Sequence, residues 1–162
     1  MSEAWHLAAD DLLLASQILH DYTTPSDPKM IKIGEVADEL ATLPPELMLR
    51  GLALEAYFKA IWTKRGHKLV KKPKFVGVPG AGQHDLLQLA QVLALDLSSA
   101  QRDLLVRLSR YIEYAGRYPI PKRAERLQPD LKKLGSLGAQ WQCPQDDEMF
   151  DSILAIVSKE LG

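Results

Sequence analysis

The chain of 162 residues is 46% apolar and 25% charged, with 20 Lys and Arg against 21 Asp and Glu and a formal charge of −1. This composition excludes a fully disordered chain and fits one domain, residues 1–162, with a core of its own. The acidic start MSEAWHLAADD lacks the basic and apolar stretches of a signal peptide, and no run approaches the roughly 20 apolar residues that span a bilayer; the expectation is a cytosolic protein with no membrane partner.

Helical spacing runs through the chain. From Glu3 to about Tyr22 the set Trp5, Ala8, Ala9, Leu12, Ala15, Ile18 and Leu19 recurs at threes and fours, which predicts an amphipathic helix. Thr24, Pro25, Ser26 and Pro28 break it and open a connection with a short helix near Gly34 to Ala41. Pro44 and Pro45 suit a first turn, so the next helix is expected over Glu46 to Arg65, apolar on most of its surface and closed by Gly66. His67 to Gln83, with two prolines and three glycines, reads as a loop. Asp85 is a good N-cap for a short helix through Leu93, and Ser98 or Ser99 caps another that carries Leu104, Leu108, Tyr111, Ile112 and Ala115 on one face and ends at Gly116. A short helix at Lys122 to Lys133, a loop from Gly135 to Pro144 and a last amphipathic helix from Asp146 to Leu161 complete an all-α pattern without a strong strand signal. The predicted fold is an antiparallel up-and-down bundle of four long helices with additional short ones.

Charge is segregated although its sum is near zero. Residues 1–46 hold nine acids and two bases; Lys59 to Lys74 hold seven bases (Lys59, Lys64, Arg65, Lys68, Lys71, Lys72 and Lys74) and no acid; Arg117 to Lys133 hold six bases and two acids. Such runs are either solvated faces or a patch that meets an anion. Within the first run, Glu55 and Lys59 stand four apart with the acid first, the favourable order for a helical ion pair.

Side chains that could carry chemistry are few. His6, His20, His67 and His84 have no zinc-type spacing with each other or with Cys143, so no metal or other cofactor is expected, and the single cysteine excludes an internal disulfide. Asp10 with Asp11 and Asp146 with Asp147 read as helix starts or solvated faces. The glycine-rich stretch VGVPGAGQHD lacks the Gly-Lys-Ser/Thr ending of a phosphate loop. The densest candidate is Arg110 to Pro119, where Arg110, Tyr114, Arg117 and Tyr118 combine guanidinium forks for phosphate with flat phenol faces for bases; Lys64, Arg65, Lys71 and Lys72 are auxiliary candidates.

The order AWHLAADDLLLASQIL, LMLRGLALEAYFKAIWTKRGH, HDLLQLAQ and LSRYIEYAGRYPIP resembles HEPN-like domains of prokaryotes, best over residues 1–120. The resemblance implies an antiparallel four-helix bundle that pairs into a homodimer, in a family rich in ribonuclease toxins, phage-defence factors and RNA-associated proteins. It also implies a metal-independent nuclease motif, an Arg followed by a polar residue and, four to six residues on, a His. Here Arg110 is followed by six residues and then by Arg117, where that His could stand, and a guanidinium stays protonated and is no ordinary general base. The expectation is therefore a non-catalytic or degenerate HEPN-like protein that binds RNA, a nucleotide or a partner protein, in a toxin–antitoxin or phage-defence setting. Two alternatives remain: a metal-independent endoribonuclease with an active site shared across the dimer, and a helical assembly module without nucleic-acid binding.

Overall fold

The computed structural model describes residues 2–23, 36–71, 74–115 and 145–162, with the side chains of residues 22, 23, 36–42, 114 and 115 left aside. Lys72, Arg117, Tyr118, Cys143, the short helix expected at Lys122 to Lys133 and the loop expected from Gly135 to Pro144 lie outside the described residues. In chain order the elements are α1 (Ser2–Thr23), α2 (Val36–Lys64), β1 (Val70–Lys71), β2 (Lys74–Phe75), α3 (Leu86–Val92), α4 (Ser99–Arg110), a π-helical turn (Tyr111–Ala115) and α5 (Gln145–Leu161). Helices dominate, as the periodicity predicts.

Three departures have physical causes. Instead of starting at Glu46, α2 takes in the short helix expected before it and passes through Pro44 and Pro45 as one helix of 29 residues. Proline's fixed φ is itself helical; each ring removes one N–H and crowds the carbonyl four residues earlier, a local cost that a long helix packed along α1 carries. The second departure is the pair Val70–Lys71 and Lys74–Phe75, an antiparallel hairpin with Val70 opposite Phe75 and Lys71 opposite Lys74. With two residues per strand it is too short to leave an alternating pattern in the sequence. Third, the face of α1 that packs inward is centred on Ala9, Leu12, Leu13 and the buried Ser16, so Ile18 points outward with 61% exposure.

Contacts fix the helix directions. Asp10 meets Tyr57 and His20 meets Glu46, so α1 runs antiparallel to α2. Arg50 pairs with Asp147 at 2.7 Å and Arg65 with Glu160 at 2.7 Å, so α5 runs parallel to α2. Gln101 donates to Ser152 at 2.8 Å while Arg107 forks onto Asp146, which makes α4 antiparallel to α5. Between them Leu47, Leu54, Phe58 and Ile61 of α2 bury completely with Leu104, Leu105 and Leu108 of α4, Ile112 and Ile153. Burial of that kind contributes about 1.5–3 kcal/mol per large side chain.

The helix starts follow the predicted caps. Asp85 accepts from the Gln88 N–H at 2.9 Å and opens α3; Ser98 accepts from the Gln101 N–H while the Gln101 side chain accepts from the Ser98 N–H, a reciprocal box that opens α4. Ser98→Ala removes one acceptor of that box, and the expected result is a loss of about 1 kcal/mol in a urea melt with an unchanged slope.

Candidate functional site

Glu55 is the deepest charged group of the middle of α2, 4% exposed. Its Oε1 accepts from the Lys59 ammonium one turn on, the ion pair expected from the spacing. Its Oε2 lies 2.8 Å from His84 Nδ1, a partner 29 residues away. A carboxylate oxygen accepts, so Nδ1 is the nitrogen that donates to it, and Nε2 is the ring atom left for another partner. The Lys59 ammonium also stands 4.9 Å from the ring centre of Trp5 and 5.7 Å from that of Phe75, within cation–π range of both.

The backbone that brings His84 to Glu55 is strained and held. His84 has φ +67°, a left-handed conformation uncommon for a side chain with a Cβ, and such residues cluster at functional sites. Around it, Val78 to Ala81 form a turn with Pro79 second and Gly80 third (φ +84°), closed by the Ala81 N–H donating to the Val78 carbonyl. The Gly82 N–H donates to Gln88 Oε1, the Asp85 N–H to the Gly82 carbonyl, and the Leu86 N–H to Ser109 Oγ at 3.0 Å. The last bond ties this loop to the end of α4, next to Arg110. Between the loop and α2 lies a cleft of about 260 Å³ with Phe75, Val76, Val78 and Leu89 as apolar wall and Glu55, Lys59, Gln83 and His84 as polar wall.

The candidate cations divide. Lys64 donates to the last carbonyls of α5, those of Glu160 and Leu161, at 3.2 and 2.7 Å. Arg65 pairs with Glu160 and donates to the Leu93 carbonyl at 2.6 Å. Lys64 therefore ties the end of α2 to α5, and Arg65, just past it, ties that end to α5 and to the C-terminal end of α3. Lys71 and Lys74 are exposed and face one another across the hairpin. Arg110 is half-buried at the end of α4, immediately before the π-helical turn; in that turn Tyr111 and Ile112 are buried, and burial raises the Tyr111 phenol above its ordinary pKa. A π turn adds a residue to the helical repeat and is frequent at functional sites. It shifts the residues from Tyr111 onward out of the α-helical register expected through Ala115.

The paired aspartates are not merely solvated. Asp10 accepts from Tyr57 Oη at 2.6 Å, and burial together with that bond holds the phenol well above its usual pKa. Asp146, 4% exposed, holds both guanidinium nitrogens of Arg107, whose pKa the bond raises further, and Asp147 holds Arg50. Sequence spacing missed these groups, and His84, Trp5 and Phe75 with them, because each partner comes from a different element.

Among the described residues no group of three His, Cys, Asp or Glu is placed to hold a metal ion, and no helix is long and apolar enough to cross a membrane. Comparison of the chain with protein-family models, with curated proteins and with solved structures gave no match. The likeness to HEPN-like domains rests on the wording of the chain itself.

Proposed function

We propose that the protein is a four-helix up-and-down bundle of the HEPN-like type that acts as a non-catalytic, cytoplasmic RNA- or nucleotide-binding homodimer. The alternating directions of α1, α2, α4 and α5 support the bundle, and Leu7, Leu14 and Ile18, about three-fifths exposed on one side of α1, offer a surface for the second copy. The observation that carries the binding function is the hairpin. Two like charges directly opposite destabilise a strand pair, yet Lys71 and Lys74 stand so on one face of the hairpin, while Phe75, 51% exposed, lies on the other face with Val70. An anionic backbone laid across both ammonium groups removes that repulsion, and neutralising backbone phosphates with lysines is what holds nucleic acid without sequence preference. Arg110, at the end of α4, is a further candidate cation, and Tyr114, Arg117 and Tyr118 follow it in the sequence.

Binding of an unstructured oligoribonucleotide at graded salt tests this reading. The expected slope of log affinity on log salt falls by about two when Lys71 and Lys74 are both changed to Ala, and by about one for Arg110→Ala. Salt-independent binding, or none, removes the proposal. Intact RNA after incubation in EDTA is the expected companion result; cleavage that His84→Asn abolishes would instead establish an endoribonuclease.

A further inference from the structure

We infer that the cleft between α2 and the glycine turn receives one nucleobase. The inference rests on the nucleic-acid reading above and adds a specific subsite to it. A nucleobase is a flat, apolar-faced ring with donors and acceptors in its edge, and the lining of the cleft offers both kinds of contact: the apolar Phe75, Val76, Val78 and Leu89, and the Gln83 amide, the His84 imidazole and the Lys59 ammonium. At about 260 Å³ it lies below the usual range of drug-sized pockets, which suits one ring and not a whole nucleotide.

Two further observations aim the cleft at such a ligand. Glu55 occupies Nδ1 of His84, so Nε2 is the ring nitrogen left to hydrogen-bond the edge of a base. The second is where the cations lie. Phe75 of the lining shares its hairpin with the Lys71 and Lys74 pair, which projects from the other face, and the Leu86 to Ser109 bond ties the far side of the loop to the end of α4 beside Arg110; a strand that leaves the cleft past either element meets a basic residue. A base inserted from a strand is thus flanked by its own backbone charges, the arrangement by which unpaired RNA bases are splayed into protein pockets.

Calorimetric titration of the full chain with the four ribonucleosides, ribose 5-phosphate and a short unstructured oligoribonucleotide tests the inference. The expected result is saturable binding of at least one nucleoside and none of ribose 5-phosphate at the same concentration. Phe75→Ala and His84→Asn weaken the nucleoside about tenfold or more, the effect expected of one lost stacking face or edge contact. Phe75 is half exposed, Asn accepts the left-handed backbone of residue 84, and Glu55 keeps Lys59 as a partner, so both variants are expected to fold, which a thermal melt checks before binding is compared. The double Lys71→Ala, Lys74→Ala variant keeps nucleoside binding and loses only the oligonucleotide. An oligonucleotide that binds with salt dependence while no nucleoside binds, and whose affinity Phe75→Ala and His84→Asn leave unchanged, overturns the base cleft and leaves the proposed function standing. Nucleoside binding without oligonucleotide binding overturns the proposed function and assigns the cleft to free nucleosides. Binding of neither overturns both.

Discussion

Arg50→Met is expected to cost about 3–5 kcal/mol of stability, the effect of stranding a buried charge. Arg50 is 6% exposed and pairs with Glu46 of its own helix at 2.8 Å and with Asp147 of α5 at 2.7 Å, while its Nη2 lies 3.4 Å from His20 Nδ1 of α1. Its guanidinium also stands 5.2 Å from the Phe150 ring centre. One side chain thus couples three helices. Removing it leaves the Glu46 carboxylate, 2% exposed, with His20 as its remaining described partner across helices. Domains have about 5–15 kcal/mol in all, so the variant is expected to unfold at markedly lower urea or to lose cooperativity. Adding Glu46→Gln should return part of the loss, because the orphaned charge goes with it; a double variant no more stable than the single would show that the ion pair was not the source.

Gly51→Val is expected to cost roughly 3 kcal/mol, the upper end for forced overpacking. A Cβ at residue 51 would stand 2.8 and 2.9 Å from Ile112 Cγ1 and Cδ1 and 3.3 Å from the Leu108 carbonyl oxygen. Ile112 is fully buried and the carbonyl is backbone, so neither yields freely. The clash falls where the π-helical turn seats on α2, one helical turn before Glu55. The variant should therefore lower the melting temperature and also displace the Arg110 segment, weakening oligonucleotide binding. Combining it with Ile112→Ala makes room, and the pair is expected to cost less than the sum of the two single changes. Strict additivity would place the strain elsewhere.

These two effects show where legibility ended. The Glu55 and Lys59 pair could be read because both residues lie on one helix face at a fixed separation, and the caps at Asp85 and Ser98 could be read because a cap acts on N–H groups two or three residues away. Nothing local announces that Gly51 is a seat for Ile112, or that Arg50 is an interhelical bolt. The glycine inside a strongly helical pattern was the one available signal, since a residue that weakens a helix by about 1 kcal/mol relative to Ala usually has a packing reason.

The candidate site divides in the same way. Periodicity and capping chemistry determined by themselves that the chain is helical, where α3 and α4 begin, that α2 is its most buried helix, and that basic residues gather between Lys59 and Lys74. Only the tertiary structure decided which of those bases are taken up by the fold. Lys64 and Arg65 reach the C-terminal end of α5, 95 or more residues away, whereas Lys71 and Lys74 stand exposed and opposite one another in the hairpin. It also decided that His84, unremarkable in the sequence, turns through a left-handed backbone onto Glu55 and lines a cleft together with Lys59. The physical reason is the range of the forces that set each feature. A helix and its caps are built from bonds spanning three or four residues, which a linear reading contains; a cleft is built from side chains whose meeting depends on how the helices pack, and no spacing along the chain encodes it.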